Sequence, residues 1–304
     1  MALNTNLDPL ISTIYQALYE VDNKNVGMIN AVARDTNPDQ IAVGQPIAVP
    51  VAPAPSVRDL DGIATQATPT IEGEAALDSI TMTLTENKMA SILWSGEQAK
   101  SLGSNYDAVL SQQFELAFES LDNLIEEHLI STALADATGD TIGDGSTDLF
   151  LEATGRKDFA DIAKAFRDAG LSTKDKRLVL TSQHLANIQG EMSTLWNANE
   201  AGSDALLREG IVGRVLGQSV ADSAGFGTAV DSLALVPSAV QFLNRPPATG
   251  QDMALDRTYV TSGKTGIVYE VSLYPIYRAR KIEIVACYGS KVVRPEHVFT
   301  LAGV

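Results

Sequence analysis

One short motif in the sequence matches part of a nucleotide-binding site. Ser262-Gly263-Lys264-Thr265 has the order found at the end of a phosphate-binding loop. The full motif needs a glycine five positions before Gly263, and Thr258 stands there. It also needs a helix directly after the loop, whereas an alternating β-pattern follows. The tetrapeptide is therefore predicted to be a hairpin turn.

Other enzymatic motifs are incomplete or missing. Gly225-Phe226-Gly227 lacks the third glycine of a dinucleotide-binding fingerprint and is predicted to be a loop. No G-x-S-x-G segment occurs, so the sequence lacks the nucleophile elbow of serine hydrolases. Carboxylates are abundant, but none of them is set apart as a general acid and base pair. We expect no catalytic residue and no cofactor-binding residue.

The residues that could bind a metal ion lack the spacing of known sites. The sequence has three histidines, none at metal-ligand spacing from another histidine or from the cysteine: His128, His184 and His297. Each is expected to be a surface or hydrogen-bonded residue. Asp140, Asp144 and Asp148 lie four apart in a glycine-rich segment, but their spacing matches no standard calcium loop. A solvated loop without a metal ion is the expectation.

Charge is unevenly distributed along the 304 residues. The net charge is -16, which disfavours sequence-independent binding to nucleic acid phosphates. Residues 101–155 contain eleven acidic residues and no Lys or Arg, whereas residues 156–304 contain 17 basic and 15 acidic residues. Two interpretations stay open. The acidic segment forms a solvated face, or complementary faces meet between copies of the chain.

The sequence predicts a soluble protein made in a cytoplasm. The N-terminus lacks the basic and apolar regions of a secretory signal, and no apolar run approaches the ~20 residues that span a bilayer. The single cysteine, Cys287, excludes an intrachain disulfide and lies in an apolar β-pattern, which predicts a buried thiol.

The N-terminal half has three strong local patterns. An amphipathic helix is predicted near residues 8–22, with an apolar stripe that must pack on its own domain or on a neighbour: Leu7, Ile11, Ile14, Leu18 and Val21. Residues 41–51 and 79–85 predict the two strands of a long hairpin with a loop tip at 58–73, and such a hairpin needs support from another surface.

A long helix is predicted from Ser104-Asn105 to about Ala137, roughly 50 Å at the usual rise per residue. Its inward positions are predicted to be Tyr106, Leu110, Phe114, Ala117, Leu121, Leu124 and Leu129. Its exposed face is predicted to carry Glu115, Glu119, Asp122, Glu126 and Glu127.

The C-terminal half alternates between helices and strands. After a loop at 139–148, a helix is predicted with Phe159, Ile162, Ala163 and Phe166 inward and Gly170 as its stop. A helix capped by Ser182 follows a strand at 177–181, and further strands are predicted at 211–217, 232–236, 267–274, 281–288 and 298–301. This order indicates an α+β fold.

Two segments resemble tailed-bacteriophage major capsid proteins. The run from Arg280 to Glu296 (RKIEIVACYGSKVVRPE) is similar to their closing strands, in which a basic residue opens a β-run that leads to Tyr-Gly and Arg-Pro-Glu. The run from Leu207 to Val220 (LREGIVGRVLGQSV) resembles a glycine-punctuated segment of their axial domain. The order of elements over nearly the whole chain also resembles the Hong Kong 97-type capsid fold.

This resemblance implies a domain organisation. It implies an N-terminal arm at 1–40, an extended β-hairpin loop at 41–95, and a long spine helix with the first part of a peripheral domain at 96–155. An axial domain at 156–265 and C-terminal strands at 266–304 that complete the peripheral domain would follow. The arm and the extended loop would lie over neighbouring subunits.

The resemblance also implies a function. The chain would be a structural protein, not an enzyme. Its pentamers and hexamers would form the icosahedral head of the virion around double-stranded DNA. The chain would contact this DNA only by proximity. Assembly would occur in the host bacterial cytoplasm with a separate scaffolding protein, a portal and a possible decoration protein, and without a membrane. The alternatives are a soluble α/β enzyme or ligand-binding protein, and an encapsulin-like compartment shell protein.

Overall fold

A computed structural model describes residues 7–24, 27–37, 39, 44–51, 78–102, 105–151, 154–171, 174–191, 214–215, 217–227, 229–248 and 253–303. The helices are α1 (Ile11–Lys24), α2 (Met28–Ala31), α3 (Gly96–Leu102), α4 (Tyr106–Asp136), α5 (Gly155–Asp168) and α6 (Ser182–Glu191). The strands are β1 (Ala33–Thr36), β2 (Pro46–Val51), β3 (Asp78–Thr83), β4 (Glu86–Ser95), β5 (Thr141–Ile142), β6 (Lys176–Leu180), β7 (Arg214–Val215), β8 (Gln218–Asp222), β9 (Ser232–Leu235), β10 (Val240–Asn244), β11 (Asp256–Thr261), β12 (Val268–Ile276), β13 (Ala279–Val292) and β14 (Val298–Leu301).

The long helix α4 lies in the centre of the larger hydrophobic core. Its buried apolar residues follow helical spacing: Leu110, Phe114, Ala117, Phe118, Leu121, Ile125, Leu129, Ile130 and Ala133. Phe118 packs edge-on against Tyr269 of β12, with ring centroids 5.1 Å apart. The predicted helix is confirmed, and its expected end near Ala137 agrees with the observed end at Asp136.

Three side chains of α4 differ from the prediction. Asp122 and Glu126 are buried instead of exposed, and Leu124 is exposed instead of inward. Both carboxylates follow Phe118 at intervals of four residues, so they lie on a buried stripe of the helix. The prediction assigned every charged residue to solvent. Buried charges occur where they accept hydrogen bonds, and a sequence does not reveal such partners.

The N-terminal helix α1 packs on α4 of the same chain. Its stripe is buried in the larger core through Leu7, Ile14, Ala17, Leu18 and Val21. After α2, strand β1 pairs in parallel with β10 from Ala33–Gln241 to Thr36–Asn244. The described part of segment 1–40 therefore packs in the core of its own chain. The apolar stripe in the sequence could not distinguish packing on its own domain from packing on a neighbour.

The first sheet packs one face on α4. Its strand order is β1-β10-β13-β12-β11, and β4 pairs with the edge of β13 that is opposite β10 and β12. Ten residues of β4 pair antiparallel with β13, from Glu86–Tyr288 to Ser95–Ala279. The prediction missed β4 because Glu, Asn, Lys and Ala have low β-propensity, although the burial of its side chains alternates.

The second sheet has the order β5-β14-β9-β6-β8-β7 and forms a separate core with α5 and α6. Strands β6 and β9 and helices α5 and α6 confirm predicted elements. The C-terminal strand β14 pairs here with β9 and β5, so segment 266–304 contributes to both sheets. Strands β10 and β11, from predicted segment 156–265, lie in the first sheet. Strand pairing is non-local and cannot be read from spacing along the chain.

The hairpin of β2 and β3 is supported at its base by the first sheet. The two strands pair antiparallel from Pro46–Thr83 to Val51–Asp78, which confirms the predicted hairpin. Val49, Met82 and Leu84 pack with Leu243 of β10 and Cys287 of β13. This contact buries the thiol, as predicted. The predicted loop tip at 58–73 lies outside the described residues.

Candidate functional site

The Ser262-Gly263-Lys264-Thr265 motif forms the turn between β11 and β12. Its ends close through a hydrogen bond from Ser262 N to Ile267 O of 2.9 Å. Ser262 Oγ accepts hydrogen bonds from the amide of Thr265 (2.9 Å) and from its hydroxyl (2.5 Å), and both side chains are buried. The hydroxyl groups therefore hold the turn together and do not face a ligand. The predicted hairpin turn is confirmed.

The Gly225-Phe226-Gly227 segment packs closely on α4. The short 3₁₀ helix Ala224–Phe226 contains Gly225. A Cβ atom at Gly225 would lie 2.8 Å from the carbonyl carbon of Glu126 and 2.8 Å from the amide nitrogen of Glu127. These are backbone atoms of a long helix that cannot shift locally. The glycine thus permits close packing between the end of β8 and α4.

Replacing Gly225 with alanine is expected to lower the free energy of unfolding by about 1–3 kcal/mol, because an added methyl group overlaps the helix backbone. The matched control is Gly190→Ala in α6, where an added Cβ meets no atom within 4 Å. That change should leave stability the same or raise it by up to about 1 kcal/mol. Chemical denaturation of both variants measures the difference. Equal midpoints would contradict the close-packing explanation.

The three predicted candidate histidines lie apart in the fold. His128 is half-buried on α4, where its ring contacts Tyr288 edge-on, and His297 is half-buried in the 3₁₀ helix Pro295–His297. His184 is fully buried in α6, and its Nδ1 lies 2.6 Å from Ser232 Oγ. Burial lowers the pKa of each histidine below its usual value. They act as neutral side chains of the fold.

The pKa of His184 predicts a loss of stability in weak acid. Because its folded pKa is lower than the usual value of about 6.5, the native state binds fewer protons than the unfolded state, so stability falls as pH drops below about 6.5. The variant His184→Leu removes this contribution, so its stability should fall less between pH 7 and pH 5 than that of the wild type. Urea unfolding at pH 7 and pH 5 tests this. Parallel losses in both proteins would contradict it.

The acidic loop uses one of its carboxylates for its own turn. Asp144 Oδ1 accepts hydrogen bonds from the amides of Ser146 (2.9 Å) and Thr147 (3.0 Å), and these bonds lower the pKa of Asp144. Asp140 is exposed and Asp148 is half-buried. Across the described ranges, no group of three or more His, Cys, Asp or Glu side chains is placed to hold a metal ion.

The buried carboxylate of Glu126 joins three segments of the chain, a feature that the sequence did not predict. Its Oε2 accepts hydrogen bonds from Met28 N (2.5 Å) and Ser223 Oγ (2.6 Å), and its Oε1 accepts one from Ile29 N (2.7 Å). Burial raises the pKa of Glu126 more than these bonds lower it. The carboxylate fixes α2 and the end of β8 to the long helix.

The thiol of Cys287 is not placed for chemistry. It is fully buried between the first sheet and the β2–β3 hairpin, and burial raises its pKa to about 11. A thiol with this pKa is protonated near neutral pH and is a weak nucleophile. Cys287 therefore acts as a small buried apolar side chain.

The remaining candidates for function are exposed apolar side chains. They occur on α1, β4, α4, the end of β12 and the connections of the first sheet: Tyr15, Tyr19, Met89, Leu93, Leu116, Leu124, Met253, Leu255, Ile276 and Tyr277. Tyr277, at the two-residue connection between β12 and β13, is 89% exposed. Tight connections usually contain Gly, Asn or Asp, so their absence here is a sequence feature that could have drawn attention to this position. Such surfaces suit contacts between proteins.

Neither a protein-family model nor a curated protein sequence matches the chain. Within the described part, no helix is both long and apolar enough to span a membrane. Similar solved structures include a capsid of the cyanophage P-SCSP1u, with 12% identity, a TM-score of 0.61, and coverage of 92% of this chain and 88% of the other.

Two further structures are similar over most of their length. A virus-like particle from Pyrococcus furiosus has 12% identity and a TM-score of 0.54, with 96% of this chain and 99% of the other covered. A structure from Mycobacterium phage Che8 has 15% identity and a TM-score of 0.55, with 85% and 84% covered. The chain therefore has the α+β capsid fold of the Hong Kong 97 type.

Proposed function

We propose that this chain is the major capsid protein of a tailed bacteriophage, and that its copies self-assemble into the icosahedral shell around double-stranded DNA. The observation that carries this proposal is the fold, which is similar to a cyanophage capsid over 92% of this chain. The candidate motifs and the three histidines have structural roles in the described residues. They give no support to the alternative of a soluble α/β enzyme or ligand-binding protein.

The two sheets would belong to different domains of the shell subunit. We assign the first sheet with α1 and α4 to a peripheral domain, and the second sheet with α5 and α6 to an axial domain around the five-fold and six-fold axes. The hairpin of β2 and β3 would be the extended loop. Its base packs on the first sheet of its own subunit.

We also propose the partners of such a shell. Copies of the chain would form pentamers and hexamers in the virion, with assembly in the host cytoplasm directed by a separate scaffolding protein and a portal, and with a decoration protein as an optional outer partner. The net charge of -16 favours a shell that surrounds DNA without binding its phosphates tightly.

Electron microscopy tests the proposal directly. The recombinant chain is purified with and without a co-expressed scaffolding protein, and negative-stain images are compared with the mass from light scattering. Closed shells, or rings of five and six subunits, are the expected result. A monomer under both conditions would refute the proposed assembly.

The second candidate is a compartment shell without a viral genome. A solved structure similar to this chain is a virus-like particle from Pyrococcus furiosus, of which 99% is covered. Density-gradient centrifugation of particles from the native source separates the two. DNA-filled heads band at higher density than shells that contain only protein.

A further inference from the structure

One end of the first sheet carries an exposed apolar and basic tip. Ile276 at the end of β12 and Tyr277 in the connection to β13 are exposed, and the exposed Arg278 follows directly. Arg280 comes two residues later and is half-buried. We call residues 275–280 the hairpin tip. Solvent contact at two adjacent large apolar side chains is costly, so this surface suits a partner.

The backbone of the tip supports a role for its side chains. Arg278 has a φ of 57°, in the left-handed region that favours glycine at this position of a two-residue turn. An arginine there is strained. In this subunit its guanidinium lies 3.6 Å from the exposed Glu97, a surface ion pair that contributes little. The fold alone thus gives no reason for this side chain.

A second exposed surface of the same chain complements the tip. On α4, Leu116 is 62% exposed and Leu124 is also exposed, about 12 Å apart along the helix. Glu119 and Glu127 are exposed on the same face, and α4 contains no Lys or Arg. We call residues 116, 119, 124 and 127 the outer stripe. It is apolar and acidic, whereas the hairpin tip is apolar and basic.

The outer stripe cannot receive the tip of its own subunit. Phe114 and Phe118 pack into the core, and Leu116 lies midway between them, about 200° around the helix from each. The tip extends the first sheet, which lies on the core side of α4. Only a second molecule can bring the two surfaces together.

We propose that the hairpin tip of one copy docks on the outer stripe of α4 in a neighbouring copy, with Tyr277 near Leu116 and Arg278 near Glu119. This contact rests on the proposed function, since a repeated contact between two different surfaces closes rings and shells. It also assigns a partner to the acidic segment at 101–155. The charge complementarity identifies the second copy as the occupant, because one chain supplies both surfaces.

Disulfide trapping tests the contact. The test variant carries Tyr277→Cys with Leu116→Cys, and the control variant carries Tyr277→Cys with Lys164→Cys. In assembled particles the test variant should form on the order of tenfold more interchain disulfide than the control, because a disulfide needs Cα atoms within about 7 Å. Lys164 is exposed on α5, and the native Cys287 is buried with a pKa raised to about 11, so it does not compete. Each single cysteine variant is measured alongside.

The outcomes separate this inference from the proposed function. Particles that form without the cross-link between positions 277 and 116 would overturn the contact and leave the shell function intact. Cross-linking by Tyr277→Cys alone would show that tips meet tips and would also overturn it. The cross-link in small oligomers that never close would support the contact and refute the shell. A chain that stays monomeric would refute both.

Charge exchange gives a second readout. Arg278→Glu should reduce the assembled fraction, and adding Glu119→Arg should restore it. Both residues are exposed, so neither change removes a core contact. Failure of the double variant to assemble better than Arg278→Glu would contradict the pairing.

Discussion

Deleting residues 1–37 is expected to leave a chain that does not fold. The segment contributes buried side chains to the larger core, among them Leu7, Ile14, Leu18, Met28 and Ile29. At about 1.5–3 kcal/mol for each buried side chain, these five contribute on the order of 10 kcal/mol. That is comparable to the whole net stability of a domain, about 5–15 kcal/mol. The deletion also exposes the edge of β10 that β1 covers.

Solubility, circular dichroism and guanidinium unfolding measure this effect. Two point variants serve as a matched pair within α1. Ile14→Ala removes a fully buried side chain and should cost about 2–5 kcal/mol. Tyr19→Ala removes an exposed side chain and should change stability by no more than about 0.5 kcal/mol. A soluble truncated protein with an unchanged, cooperative unfolding transition would show that the segment is an independent arm.

The sequence predicts well those elements whose signal is local. Helix α4 has apolar residues at helical spacing over 31 residues, and its observed ends agree with the predicted ones. The β2–β3 hairpin and helices α5 and α6 were also predicted, because proline, glycine and capping residues mark their limits. In each case the information lies within one segment.

Features that depend on distant segments were not predicted. The sequence of β4 alone does not indicate a strand, and the strand forms because β13 offers ten paired positions. Strand β14 looks like a continuation of the C-terminal strands, yet its partner is β9 in the other sheet. The burial of Glu126 depends on amides nearly a hundred residues away. Spacing along the chain contains none of these relations.

The exposed side chains of α4 show a related limit of prediction from sequence. Amphipathic patterning assigns leucine to the core, and it therefore placed Leu124 inward. In the structure α4 contacts α1, the first sheet and residues 224–226, whereas Leu116 and Leu124 are exposed. The exposure of these apolar residues becomes visible only with the fold.

Replacing Glu126 with alanine is expected to lower the free energy of unfolding by about 3 kcal/mol or more, because three buried donors lose their acceptor. The donors are the amides of Met28 and Ile29 and the hydroxyl of Ser223. Glu126→Gln keeps one acceptor oxygen but turns an amide group towards the remaining donor, so its cost should be about 1–2 kcal/mol. Glu119→Ala, on the exposed face of the same helix, is the control and should be nearly neutral.

The dependence on pH distinguishes this carboxylate from a simple packing residue. Burial raises the folded pKa of Glu126 above the usual value, so the native state binds its proton more tightly than the unfolded state. The contribution of Glu126 is therefore fully present below the usual pKa of about 4.5 and decreases as pH rises through the folded pKa. The difference in stability between wild type and Glu126→Gln should be larger at pH 5 than at pH 8. A difference that grows with pH instead would mean that the three hydrogen bonds outweigh desolvation, and that Glu126 is held as a stabilised anion.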